Sequence, residues 1–236
     1  MTSVNGSGQV EKVHRGVERA EMEKLIRAGG DDAKVGWDSV WKARITPWDI
    51  GASHPALQEV VEEGEINFPK GSDKKALVPG CGSGYDVVYL ATQLGVHATG
   101  LDIAPTAIER AISLASTLPD AAIKERISFK GEDFFRLNLK GEFDLIYDYT
   151  FFVAISPTMR SEWGRQMANL IKPGGYLITL AFPIEPKRDV GPPFYVRPDH
   201  YDEPLGDAFK KVYDNVPKRF PPGREGKQHM MVWQKV

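Results

Sequence analysis

Residues 75 to 86, K-A-L-V-P-G-C-G-S-G-Y-D, set a short apolar run directly before three glycines at alternate positions. Ala76, Leu77 and Val78 are too few for a helix and are closed by Pro79 and Gly80, so they read as a buried strand. Asp86-Val-Val-Tyr-Leu-Ala then opens a helix. Strand, glycine turn and helix in that order form a ligand-cradling unit of α/β proteins. A side chain at Gly80, Gly82 or Gly84 would hold a ligand off the backbone, and glycine tolerates the positive φ of such turns.

The spacing separates ligand classes. A dinucleotide site needs G-x-G-x-x-G, and Tyr85 stands where its third glycine belongs. Gly80-Cys81-Gly82-Ser83-Gly84 suits a cofactor without pyrophosphate, or an ordinary tight turn, and residues downstream must decide.

They form a βα repeat. H-A-T-G-L-D-I is a second strand ending at Asp102, eighteen residues beyond Gly84. An acid at about that distance, roughly 20 residues on, accepts both hydroxyls of a ribose. Asp102 could equally cap the helix that starts near Ala104-Pro105-Thr106. After a helix from Ala107 to Ser116, Ile127-Ser-Phe-Lys reads as a third strand, with Asp133 and Phe134 at its end. Phe143 to Asp148 is a fourth strand, and Asp148, Tyr149, Phe151 and Phe152 lie at its carboxyl end, where open parallel sheets bind ligands. Only one of the two phenylalanines is expected to face a pocket. A helix from Pro157 to Ile171, a hairpin-like K-P-G-G and a fifth strand, Tyr176 to Ala181, follow.

Outside the repeat, residues 1 to 9 read as a disordered tail and residues 10 to 70 as a helical cap on a core of residues 75 to 236, one domain in all. Val10 to Ala28 is amphipathic, either covering an open end of the sheet or lying over a ligand as a lid. Trp37 and Trp41 are four apart, on one face of a helix, and Trp48 follows the turn at Thr46-Pro47. Three indoles enclose a desolvated cation with ~2 kcal/mol or more of stabilisation, or anchor the first helix as core. A helix, Pro55 to Glu63, precedes the first strand. Six prolines between Phe182 and Pro204 mark an irregular loop that covers a substrate. A short helix near Asp199 to Phe209 leads to two alternating runs, Phe209 to Val216 and Gln228 to Val236, that read as an antiparallel sheet edge.

Thirty basic and 32 acidic residues without a basic run disfavour nucleic acid, so the partner is a small molecule. Cys81 is the only cysteine, the five histidines lack metal-ligand spacing, and no run approaches the ~20 apolar residues of a membrane span. A soluble, cytoplasmic monomer or weak dimer is the expectation, with no metal and no membrane partner.

These stretches resemble the thiopurine methyltransferase superfamily, and within it the halide and thiol methyltransferase branch of plants and fungi. The resemblance covers roughly residues 36 to 196, through W-D-S-V-W, I-T-P-W-D, A-L-V-P-G-C-G-S-G-Y-D-V, G-L-D-I, G-E-D-F-F, F-D-L-I-Y-D-Y-T-F-F-V-A-I, K-P-G-G-Y-L-I-T-L and V-G-P-P-F. It implies a class I, Rossmann-like α/β fold whose seven-stranded sheet is mostly parallel with an antiparallel C-terminal strand. It implies S-adenosylmethionine as cofactor, held by Trp37, Trp41, Trp48, Gly80, Gly82, Asp102, Ile103, Asp133, Phe134 and Tyr149. Asp133 would meet the adenine amino group, unless it serves only as a helix cap. Tyr149, Phe194 and Tyr195 would form the substrate pocket. Plant members carry tyrosine directly after G-P-P, whereas here Phe194 precedes Tyr195, so which ring faces the substrate is open.

The implied reaction is in-line methyl transfer to a halide, thiocyanate or hydrosulfide ion, which arrives ionised and needs no general base. An organic thiol substrate and a non-catalytic S-adenosylmethionine-binding module are the alternatives.

Overall fold

The computed structural model describes the backbone of residues 6–236 and side chains from residue 17 onward. Seven strands form one sheet in the order β3-β2-β1-β4-β5-β7-β6. They are β1 (Lys75–Pro79), β2 (His97–Leu101), β3 (Ile127–Lys130), β4 (Phe143–Tyr149), β5 (Ile171–Ala181), β6 (Phe209–Asn215) and β7 (His229–Lys235). β1 to β5 pair in parallel, and β7 runs antiparallel to both β5 and β6. The order reverses between β1 and β4, the point at which such sheets open a ligand crevice.

Apolar residues on both faces explain why the sheet is central. On β4, Leu145 and Tyr147 join a cluster with Leu90, Ile178 and Val232, while Ile146 joins Leu177, Trp163 and Met231 on the other side. Neighbouring residues therefore serve opposite layers, as strand geometry dictates. The layers are filled by α3 (Pro55–Glu62), α4 (Tyr85–Leu94), α5 (Pro105–Ser116), α6 (Ala121–Lys124), α7 (Phe151–Ala154), α8 (Arg160–Leu170) and α9 (Asp202–Leu205), while α1 (Gly6–Ala28) and α2 (Ala33–Lys42) precede them. α8 lies so close to α9 that a Cβ on Gly164 would stand 1.9 Å from the Pro204 carbonyl oxygen.

Three expectations are corrected. The helix expected from Val10 begins at Gly6, within the stretch read as a disordered tail, and the remainder of that tail, residues 1–5, lies outside the described residues. K-P-G-G is no hairpin: β5 starts at Ile171 opposite Phe143 and absorbs Pro173-Gly174-Gly175 as an irregularity before Tyr176 pairs with Leu145. The helix expected over Asp199 to Phe209 is split into a 3-10 turn at Pro198–Tyr201, α9, and a second turn at Gly206–Ala208, with Phe209 already in β6. Pro204 offers no N–H and Gly206 takes φ +47°, so a continuous helix cannot pass. Among the described residues no helix is long and apolar enough to cross a membrane.

Candidate active site

A cavity of about 1020 Å³ lies over the carboxyl ends of β1 to β4. Each strand tip delivers a residue to its wall: Gly80 after β1, Asp102 after β2, Asp133 near the end of β3, and Phe151 after β4. α1 crosses the opening with Arg19, Met22 and Ile26, and the proline loop contributes Pro192, Pro193 and Phe194. α1 thus lies over this cavity. α1 and the loop are joined by Arg19 donating to Glu185 Oε2 at 2.6 Å and to the Pro193 carbonyl at 3.1 Å, and by Arg188 donating to Glu23 at 3.0 Å.

The indoles share one wall. Asp32 caps α2 by accepting from the Lys34 and Val35 amides, and the helix then sets Trp37 and Trp41 one turn apart. Trp48 meets both edge-on, with ring centroids 5.8 Å from Trp37 and 6.0 Å from Trp41. Trp41 is almost wholly buried against Ala104 and Ala107, with the Arg110 guanidinium 5.1 Å from its ring. Core anchor and cavity wall are thus the same residue.

The glycine turn works at two positions. Gly80, at φ +59°, faces the cavity, and a Cβ there would lie 3.0 Å from Phe151. Gly82, at φ +53°, is not on the wall; its missing side chain admits the Trp41 indole, which a Cβ would meet at 3.0 Å. Asp102 spans this turn and the next helix, accepting from the Gly82 amide at 3.0 Å and the Ala104 amide at 2.9 Å. Burial pushes its carboxyl up to about 6 against those amides. Backbone amides, that of Ile103 among them, leave part of a carboxylate's lone pairs unused, so Asp102 both shapes the loop and lines the cavity with acceptor capacity to spare. Ile103 follows it on the wall. Asp133 accepts from the Phe135 amide at 2.9 Å, so it caps a 3-10 turn as well as lining the cavity, and Phe134 beside it packs edge-on against Phe151 at 5.1 Å.

Phe151 rather than Phe152 turns inward. Asp148, itself buried, accepts from the amides of both and from the Trp163 indole at 2.9 Å, and Thr150 takes φ +67° to make the corner. Phe152 goes to the core, stacked on Tyr201 at 4.0 Å.

Tyr149 and Tyr195 are absent from the wall. Tyr149 shares the parity of Leu145 and Tyr147 and so points behind the indoles, where its hydroxyl donates to the Trp48 carbonyl at 3.1 Å and accepts from Arg224. Tyr195 packs outside, 5.3 Å from the His200 ring with Arg197 over its face at 4.5 Å. Of the two neighbouring rings, Phe194 is the one that lines the cavity.

Indoles that attract a cation, an acid at the β2 tip beside a glycine turn, and a flat apolar ring after an acid at the β3 tip suit a cationic nucleoside. A model of the thiopurine S-methyltransferase family matches residues 32–229. The chain belongs to the thiopurine S-methyltransferase family. As a member, it is a methyltransferase whose cofactor is S-adenosylmethionine. It is 43% identical over 220 residues to the probable thiol methyltransferase 2 of Arabidopsis thaliana, covering 92% of each chain. To thiocyanate methyltransferase 1 of the same plant it is 39% identical over 218 residues, covering 91% of this chain and 88% of the relative. A structure solved in work on the conversion of a disulfide bond into a thioacetal group during echinomycin biosynthesis matches with TM-score 0.66 at 20% identity, over 84% of this chain and 90% of that one; the likeness is one of fold.

Among the charged residues of this site that sequence reasoning missed is Arg224. Arg224 is buried, donates to the carbonyls of Pro47 at 3.0 Å and Trp48 at 3.2 Å as well as to Tyr149, and lies 4.5 Å over the Phe182 ring. It comes from P-P-G-R-E-G, a loop with no periodicity to betray it. Behind Tyr149, desolvation drives the His54 imidazole down to about 3, while its Nδ1 accepts from the Ala56 amide and caps α3. Burial lifts Asp86, which accepts from the His54 amide at 2.8 Å, to about 7. Because that folded value lies above the unfolded one, Asp86 contributes stability that is full below about 4 and is lost as the pH rises toward 7. Asp86→Asn removes the titration but keeps the acceptor. Its melting temperature is expected to match the parent near pH 4 and to exceed it increasingly up to pH 7 to 8; equal gaps at both ends would refute the assignment.

Proposed function

We propose that the protein transfers a methyl group from S-adenosylmethionine to a small soft nucleophile: a halide, thiocyanate or hydrosulfide ion. One observation carries this reading. The cavity joins a three-indole wall to a second group of apolar rings, Phe151, Phe182 and Phe194, in a chain closely related to proteins named for thiol and thiocyanate methylation.

When bound, the cofactor supplies an electrophilic methyl on a sulfonium. Trp37, Trp41 and Trp48 enclose the positive sulfur, Asp102 accepts from the ribose, and Asp133 with Phe134 holds the adenine. Phe151 and Phe194 strip water from an incoming anion, which raises the nucleophilicity of a weakly hydrated soft ion and orients it for displacement. An anion brings its own lone pair, so the walls need only position and desolvate.

Purified protein mixed with S-adenosylmethionine and iodide, thiocyanate or hydrosulfide is expected to release methyl iodide, methyl thiocyanate or methanethiol into the headspace. Protein that binds the cofactor yet releases none of these sinks the small-anion reading. An organic thiol is the alternative substrate: the 1020 Å³ cavity would hold it in whatever space the cofactor leaves beneath the proline loop. Turnover of organic thiols with no turnover of the three anions would select it.

Trp48→Ala is expected to weaken S-adenosylmethionine binding by about 1–2 kcal/mol, some 5- to 30-fold, in calorimetry on folded protein. Unchanged affinity would return Trp48 to a purely structural part.

A further inference from the structure

Arg160 opens α8 outside the cavity, is 8% exposed, and among the described residues has no carboxylate partner. It donates instead to the Tyr195 carbonyl at 2.9 Å, lies 4.5 Å over the buried Phe152 ring, and sits 3.3 Å from His200 Nδ1. Its Nε is buried without a partner. A charge buried on those terms is costly, and burial lowers its proton affinity. Desolvation, and then the Arg160 charge, lower the proton affinity of the His200 imidazole, which favours Nδ1 as an acceptor for the guanidinium.

The grip falls at a decisive place. Phe194 donates its amide to the Val153 carbonyl at 2.7 Å, and the carbonyl of the next residue, Tyr195, is the one Arg160 holds. Val153 follows Phe152 on α7, so both anchors of the loop come from one small block of core. Around them the chain alternates: the Phe194 ring enters the cavity and the Tyr195 ring leaves it for Arg197 and His200. A slip by one residue would exchange the two and set a phenol in the apolar wall.

We propose that Arg160 is a positioning residue that locks the register of the proline loop, so that Phe194 rather than Tyr195 faces the nucleophile. The inference rests on the reading that Phe194 walls the substrate end of the cavity. Arg160→Lys keeps the charge but loses the planar fork that reaches the carbonyl and the imidazole together.

Two measurements test it. The first needs no turnover: 4-fluorophenylalanine placed at position 194 reports its ring environment by fluorine resonance, which is expected to shift or split in Arg160→Lys. A resonance unchanged from the parent overturns the lock. The second is a cycle with Phe194→Leu on the active enzyme. Arg160→Lys is expected to raise KM for the nucleophile about fivefold, the worth of one hydrogen bond, with S-adenosylmethionine affinity within about twofold of the parent. In the Phe194→Leu background the same change is expected to have almost no further effect. Full additivity, or an equal loss of cofactor affinity, overturns the proposal. Should Arg160→Lys fail to fold, His200→Gln, which alters the acceptor at Nδ1 and leaves Arg160 in place, is expected to give the same changes in weaker form, and their absence overturns it. If Phe194→Leu alone leaves KM for the nucleophile unchanged, the pocket reading fails, while the fluorine resonance still tests the lock.

Discussion

Asp102→Ala is expected to cut S-adenosylmethionine affinity by about a hundredfold or more. On the proposed reading the carboxylate accepts from two ribose hydroxyls, and hydrogen bonds to a charged group contribute about 1.5–3 kcal/mol each, so losing both costs about 3 kcal/mol or more. The same group holds the Gly82 and Ala104 amides, so its removal also slackens the glycine turn under Trp41. Asp102→Asn is the equal-volume comparison, and the melting temperatures of both variants separate loss of the turn from loss of the ribose contact. An amide can accept from one backbone N–H but presents a donor to the other, so this variant disturbs the turn while keeping the volume. Calorimetry on both, with melting temperatures alongside, makes the test. Near-parent affinity in a folded Asp102→Ala protein would reduce Asp102 to a loop-shaping residue. Binding should also weaken as the pH falls through about 6, where the buried carboxyl gains its proton and one acceptor becomes a donor.

Gly164→Ala is expected to produce the largest loss of stability from a single added methyl. Alanine normally favours a helix interior by about 1 kcal/mol over glycine. Here the new carbon would stand 1.9 Å from the Pro204 oxygen and 2.5 Å from its carbonyl carbon, far inside contact distance. Both are backbone atoms, so no side chain can turn aside, and α8 must move off α9. Overpacking of this kind costs typically ~1–3 kcal/mol or more, enough to outweigh the helix preference. A net loss of about 2 kcal/mol lowers the melting point by ~4–8 °C in a chain of this size. A variant as stable as the parent would mean that the two helices separate freely.

Where the chain is regular, its sequence was a good guide. β1 to β4 follow from apolar runs closed by glycine, proline or acid, and Asp102 and Asp133 follow from their place just past strand ends. The turns that failed did so for tertiary reasons. Pro173-Gly174-Gly175 carries every local sign of a hairpin, yet Ile171 and Tyr176 on either side pair with one and the same neighbour, β4. Tyr149 was misplaced although strand parity was available to place it: two residues from Tyr147 and four from Leu145, it shares their side of the sheet. That Phe194 rather than Tyr195 lines the cavity was not legible, because a proline loop has no period and the side chain that holds the Tyr195 carbonyl, Arg160, lies thirty-five residues away. Arg224 was invisible for the same reason.

That arginine has a consequence for biosynthesis. Its guanidinium fastens the carbonyls of Pro47 and Trp48, so an early stretch of the polypeptide is clamped by one made 176 residues later. A ribosome delivers residues in order, N-terminal elements first. Trp48 therefore emerges long before its fastener, and the Pro47 and Trp48 carbonyls gain their guanidinium partner only once the loop that carries Arg224 has been made.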